Sequence, residues 1–385
     1  MIPYGHHDVV EEDVRAVSEV LRGEWLTTGP AVTAFEEDLR TWTDGVPAIA
    51  VSSGTAALHA AYAAAGLGPG DELITTPMTF IATQATAAIL GVTNVFADVC
   101  PDTATIDPQS VRAAISDRTR AIVAVDYAGH PAEMDELRAI ATEHGLLLIE
   151  DAAHSLGSRY RNRAVGSLAD LTAFSFFPTK NITTGEGGAV SSADADLLRR
   201  AREFSRQGLI RDPARMRDPE IGPWHQEVHE FGVNYRLPDV LAALGSSQLR
   251  RLAHFRERRT AIKARYDDAF GPLVEKHGVD VPAQRDHAEP MWHLYPLRVP
   301  AERRRAIFVG LRAAGIAVQV NYIPAYWHPV FQDLGFARGL CPVAEDYYAR
   351  EISLPIYPGL TDAEQDLVIE AVYRLLEESP ARYAS

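Results

Sequence analysis

The sequence predicts an α/β protein: a mostly parallel, doubly wound, seven-stranded sheet with a smaller C-terminal α/β domain. Seven short apolar runs lie between Ala48 and Ala193, separated by amphipathic stretches. Several runs are apolar at every position, as strands covered on both faces require. The helical patterns between them supply the crossovers that let successive strands pair in parallel.

The elements follow in chain order. AIAVSS (48–53) is the first strand, and TAALHAAYAAAG after it has helical spacing. DELITTP (71–77), TNVFADV (93–99), AIVAVDY (121–127), LLLIED (146–151), LTAFSF (171–176) and GAVSSA (188–193) complete the seven. SVRAAIS and EMDELRAIATEHG are intervening helices, the second closed by Gly145 at a C-terminal cap. From Asp239 a long helical region, VLAALGSSQLRRLAHFRERRTAIKARYDDAF, leads away from the sheet. Beyond Gly271 come a proline-containing stretch, a strand (HLYPLRV, 293–299), a helix (ERRRAIFVGLRAAG) and a last helix, TDAEQDLVIEAVYRLLEE. Residues 1–250 are expected to hold an N-terminal segment and the large domain, and 251–385 the smaller one. The arginine-rich helices read as solvated faces carrying ion pairs.

With 385 residues, 46% of them hydrophobic, the chain can bury a sizeable core. A formal net charge of −15 argues against nucleic acid or an anionic membrane surface as partner. An anionic small molecule is not excluded, because an arginine cluster or a helix terminus reverses the field locally. Cys100 and Cys341 form neither a CxxC pair nor a disulfide framework. The opening MIPYGHHDVVEEDVRAV lacks the apolar core of a signal peptide, and no run of about 18 apolar residues occurs. A soluble, cytoplasmic protein is expected.

Three features fall at predicted strand ends, where an open α/β sheet places its ligands. In SSGTAALHAAYAAAG, Gly54 and Thr55 open a helix whose free N–H groups favour a phosphate; the same residues also suit a plain helix cap. In LLLIEDAAHS, Asp151 ends a strongly apolar strand. A carboxylate there favours the protonated form of a heterocyclic ring nitrogen. A helix cap, or a metal ligand together with His154, is the alternative, but no third ligand follows at convincing spacing. The third feature is FSFFPTKNITTGEGGAV. Lys180 has the side chain that forms an imine with an aldehyde and shuttles protons once displaced. Ser175 can donate to a phosphate, and GEGG allows a tight return into the next strand. Together these are the handles of pyridoxal 5'-phosphate, PLP. Phe80 in TTPMTFIAT can stack on its ring, unless it is plain core.

At these residues the chain resembles a fold-type I PLP-dependent transferase of the DegT/DnrJ/EryC1/StrS sugar aminotransferase family. SSGTAALHAA, GDELITTPMTFIAT, FADVCPDTATID, IEDAAHSLGS, FSFFPTKNITTGEGG, FGVNYRLPDVLAALG and EISLPIYPGLT follow the family order over essentially the whole length. The opening IPYGHH…EEDVRAVSEVLRGEWLTTGP is most similar to the branch that aminates a UDP-linked 4-keto-6-deoxy sugar. The resemblance implies that Lys180 carries the cofactor and acts as acid and base. It implies that Asp151 pairs with the ring nitrogen and that His154 lies beside the ring. Gly54, Thr55 and Ser175 would bind the phosphate, joined by Asn234 from a second subunit, so a homodimer with shared sites is implied. Tyr4, Thr27 and Tyr322 match segments lining the sugar pocket. Arg206, Arg211 and Arg236 are candidates for a nucleotide diphosphate, each equally readable as a surface ion pair.

Phe177 and Asn321 stand where histidine is common, so they leave the sugar open. Family dehydratases replace the lysine by histidine; an intact Lys180 implies amino transfer, with L-glutamate as donor. A dTDP-linked keto sugar or a keto-cyclitol is the alternative acceptor, and a non-catalytic PLP-binding regulator the alternative role.

Overall fold

The computed structural model describes residues 1–377; residues 378–385, the end of the predicted C-terminal domain, lie outside it. All seven predicted strands form: β1 (Ala48–Val51), β2 (Glu72–Thr75), β3 (Thr93–Phe96), β4 (Thr119–Val125), β5 (Leu147–Asp151), β6 (Leu171–Ser175) and β7 (Gly188–Ser191). They make one seven-stranded sheet in the order β1-β7-β6-β5-β4-β2-β3. β7 runs antiparallel to both β1 and β6, and the other pairings are parallel.

The unbroken apolar runs have a direct cause. In β4, Ile122 and Ala124 enter one core cluster while Ala121 and Val123 enter another on the opposite face. The first face is covered by α2 (Pro30–Arg40), α6 (Met134–His144) and α8 (Asp239–Leu249), and the second by α3 (Gly54–Ala64) and α7 (Ala195–Phe204). At about 25 cal/mol per Å² of apolar surface removed from water, both faces contribute, so neither tolerates polar alternation. Gly145 caps α6 in a left-handed conformation (φ 66°), as its position predicted.

The smaller unit is built around α9 (Leu252–Phe270) and the antiparallel pair β8 (Tyr295–Arg298) and β9 (Glu351–Leu354). Three differences from expectation appear. The long helical region is broken at Arg251, which has φ −103° and ψ 1°. The Arg251 guanidinium is drawn to the buried carboxylate of Asp13 at 2.6 Å, a pairing no helical periodicity reveals. Ile2 packs in the core of the smaller unit and exchanges backbone bonds with Gly315 and Ala317, so the chain's first residues join the C-terminal unit. Within the arginine-rich helix, Arg258 and Arg265 make the expected surface pairs with Asp362 and Asp366. Arg259 does not: it is 2% exposed and donates to the carbonyls of Trp292 and Ile356.

Candidate active site

The parallel strands all end on one side, and the loops leaving β1, β2, β4, β5 and β6 enclose a cavity of about 470 Å³. Gly54, Thr55, Phe80, Asp151, His154, Ser175, Lys180 and Tyr322, all singled out from sequence, line it.

At the end of β1 the Ser53 hydroxyl accepts the Ala56 N–H at 3.0 Å, so Ser53 is the cap of α3. The cap satisfies one orphan donor and leaves the first-turn N–H groups of Gly54 and Thr55 at the cavity. The capping reading of SGT holds, and it leaves those N–H groups free for the phosphate the sequence predicts. Glycine is required at 54 by contact: an added Cβ would lie 2.6 Å from Ser175 Cβ. We expect Gly54→Ala to weaken PLP binding to the apoprotein by about tenfold or more, equivalent to about 1.4 kcal/mol. Gly68→Ala, where a Cβ meets nothing within 4 Å, is the control. Equal affinities in a spectroscopic titration would refute the requirement.

Asp151, the last residue of β5, is 4% exposed. Its Oδ2 accepts the Thr83 hydroxyl at 2.7 Å and its Oδ1 the Ala153 N–H at 3.2 Å. Burial raises its carboxyl above the ordinary range; those two bonds and the Lys180 charge pull the other way. A carboxylate offers about four lone-pair sites, so it retains room for a ring N–H.

Lys180 sits in the turn after β6, its own N–H donating to the Phe177 carbonyl at 2.8 Å. Burial pushes its amine down to about 8, against the opposing pull of Asp151. The neutral form therefore gains through pH about 8, while exposed lysines follow at about 10.4. Acylation of the apoprotein by an amine-selective reagent, mapped by mass, should label Lys180 with a midpoint near pH 8. A midpoint near that of the surface lysines would show the amine is not perturbed.

His154 is held neutral by burial and by the Lys180 charge. Its Nε2 meets Tyr322 Oη at 3.2 Å, its ring lies 4.2 Å from that of His293, and its buried Nδ1 has no partner among the described residues. Phe80 is 59% exposed at the rim, 6.3 Å from the Tyr322 ring, so it is wall rather than core.

The remaining candidates lie elsewhere in their own chain. Tyr4 accepts from the Asn321 amide at 2.6 Å, away from the cavity lining. Thr27 is exposed, and its neighbours Thr28 and Gly29 border a second cavity of about 420 Å³. Arg236 lines that second cavity with Arg206 and Arg211, while Asn234 is exposed beside them. Arg199 and Arg215 pair with Glu203, and Arg202 with Glu36. Arg236 contacts the neutral Gln207, and Arg211 the neutral Gln226. Burial and the charges of Arg202, Arg236 and Arg211 hold Arg206 below its ordinary value. Of the two departures from the family pattern, Phe177 lines the Lys180 cavity and Asn321 does not.

The sequence matches the DegT/DnrJ/EryC1/StrS aminotransferase family over residues 7–373. The chain belongs to that family. It is 39% identical over 377 residues to the spore coat polysaccharide biosynthesis protein SpsC of Bacillus subtilis, covering 96% of each chain. It is 35% identical over 390 residues to the UDP-4-amino-4,6-dideoxy-N-acetyl-β-L-altrosamine transaminase of Campylobacter jejuni, covering 100% of each. The PMP form of Streptococcus pneumoniae Spr1654 superposes with a TM-score of 0.91 at 30% identity, covering 98% of this chain and 99% of that one.

The protein is thus a fold-type I, PLP-dependent sugar aminotransferase. Its residues fit the cofactor. The glycine cradle at Gly54 suits a phosphate, the buried Asp151 suits a ring nitrogen, and the unpartnered His154 Nδ1 awaits a polar neighbour. Sequence reasoning missed Thr83, which holds Asp151, and Glu186, which also lines the cavity. Both lie inside quoted motifs, TTPMTFIAT and GEGG, but nothing in either motif says which side chain turns inward. Among the described residues no helix is long and apolar enough to cross a membrane.

Proposed function

We propose that this aminotransferase moves the amino group of L-glutamate onto the keto carbon of a nucleotide-linked keto-deoxy sugar, a UDP-4-keto-6-deoxy hexose. The observation that carries the chemistry is the meeting of Lys180, with an amine near pH 8, and the buried carboxylate of Asp151 in one cavity. The match to the C. jejuni transaminase over its whole length supports the sugar class.

Bound PLP supplies an amine carrier and an electron sink. The protein's residues do the rest. Gly54, Thr55 and Ser175 anchor the phosphate, and Asp151 keeps the ring nitrogen protonated. Phe80, His154 and Tyr322, which line the same cavity, would wall the ring. Lys180 Nζ takes the α-proton from the amino donor and returns a proton to the sugar carbon in the second half-reaction. An amine that ionises near the working pH serves both directions.

The diphosphate is proposed to bind Arg206, Arg211 and Arg236, and Asn234 to reach the cofactor phosphate of a second subunit. Phe231, 95% exposed beside Asn234, supports a face covered by another copy.

The test has two stages. Glutamate should discharge the visible absorbance of the bound cofactor; after its removal, a panel of keto compounds is screened for recovery. Recovery with a UDP-4-keto-6-deoxy hexose alone is the expected result. Recovery with a dTDP sugar or a cyclitol would overturn the substrate and keep the chemistry. Arg206→Ala and Arg211→Ala should slow the second stage and leave the first unchanged; equal slowing of both would remove the arginines from the diphosphate site.

A further inference from the structure

Behind Tyr322 lies a polar cluster that the chemistry above does not use. Its centre is Glu351, the first residue of β9, which is 0% exposed. Glu351 Oε2 accepts the backbone N–H of Asn321 at 2.7 Å, and Oε1 accepts the Ser353 hydroxyl. The Asn321 amide donates to Tyr4 Oη at 2.6 Å and to Ser353 Oγ at 3.1 Å, and its carbonyl accepts from Tyr127 Oη. One residue is thereby tied to the N-terminal segment, to β9 and to the loop after β4. The next residue, Tyr322, lines the Lys180 cavity and meets His154 Nε2 at 3.2 Å.

The register explains why a carboxyl stands here. The antiparallel bridge between Gln319 and Ser353 puts Asn321 opposite Glu351. At that step the Glu351 side chain takes the Asn321 N–H. The chain can then leave the bridge and turn toward the cavity without burying an unpaired donor. Burial pushes the Glu351 carboxyl up to about 8, with Ser353, Asn321 and the Arg304 charge pulling the other way. Burial thereby favours the protonated carboxyl, and glutamine is the isosteric mimic of that form. A glutamine carbonyl keeps the Asn321 bond, whereas its amide can only donate, so the Ser353 bond must reverse for the amide to meet Ser353 Oγ.

We propose that Glu351, acting through Asn321, is a positioning residue for transamination that seats Tyr322 against His154 at the wall of the cofactor cavity. The inference rests on the family's activity and not on which sugar is accepted. It also gives Asn321 a role: its side chain is spent on Tyr4 and Ser353, holding the same turn from the other side.

The test uses PLP-loaded enzyme carrying Glu351→Ala, Glu351→Gln, Tyr322→Phe and the Glu351→Ala/Tyr322→Phe pair. The glutamate half-reaction is followed by absorbance, and PLP affinity is titrated on each apoprotein. Glu351→Ala is expected to slow the half-reaction about tenfold, as small misplacements in a site do. It should add nothing when Tyr322→Phe is already present, because the two act through one group. Glu351→Gln should stay within about twofold of the parent, because the bond to the Asn321 N–H that seats the turn is kept. The pH titration of the cofactor band should move in Glu351→Ala and not in Glu351→Gln. Additive losses in the pair, or a Glu351→Gln defect as large as that of Glu351→Ala, would overturn the proposal. If Glu351→Ala does not fold, Ser353→Ala replaces it: non-additivity with Tyr322→Phe supports the proposal and additivity overturns it.

Discussion

Replacing Lys180 with alanine is expected to lower kcat/KM by about 10⁴-fold or more, because one side chain supplies both the covalent anchor and the proton shuttle. The cavity explains why no neighbour can substitute. Asp151 is already engaged by Thr83 and Ala153, and burial keeps His154 neutral with its Nε2 on Tyr322. Lys180→Arg should fail equally: it keeps the charge but cannot release a proton at working pH, since a guanidinium ionises above about 12. Binding should survive, as the phosphate cradle at Gly54 and Ser175 lies on other elements. Two readouts separate these roles. Borohydride treatment should fix cofactor mass to Lys180 in the parent and none in the variant. A small primary amine added to Lys180→Ala should restore part of the proton transfer. Turnover within tenfold of the parent, or cofactor fixed to another lysine, would remove Lys180 from the chemistry.

The strands were legible because burial on both faces of the sheet leaves an unbroken apolar signature. Ala121 to Ala124 can only be read one way when alternate residues enter different cores. The cavity residues were legible because a doubly wound sheet delivers strand-end residues to one edge, so Asp151 and Lys180 needed no tertiary information to be brought together. The reversal of β7 was also implicit. The twelve residues 176–187 between β6 and β7 form no helix, whereas a parallel crossover is usually made by one. Its place between β1 and β6 was not implicit, since apolar runs carry no record of which strand they neighbour. Arg259 was misread for a related reason. Its helix shows an arginine-rich face, and only the carbonyls of Trp292 and Ile356, far away in sequence, bring one of those arginines inside. Glu351 and Thr83 escaped in the same way, because each acts on a residue that sequence had already identified.

Substituting asparagine for Asp151 is expected to lower kcat by about 10²- to 10³-fold, equivalent to about 3–4 kcal/mol of barrier. Asparagine has nearly the same shape and can still accept from Thr83, giving up the longer bond from the Ala153 N–H, so the fold should be little disturbed. What it removes is the negative charge that keeps a ring nitrogen protonated, and with it the electron withdrawal that lets an α-proton leave. A second effect follows with a definite sign. Asp151 is the charge that holds the Lys180 amine up against burial. Without it the lysine should ionise below its value of about 8, so acylation of Lys180 in the apoprotein should move its midpoint to lower pH. The rate of glutamate-driven bleaching and the acylation midpoint test separate consequences of one carboxylate. A slow half-reaction with an unmoved midpoint would leave Asp151 as ring partner only. A parental half-reaction in Asp151→Asn would mean that the ring's electron sink is set by some other group, and the assignment built on the β5 terminus would fall.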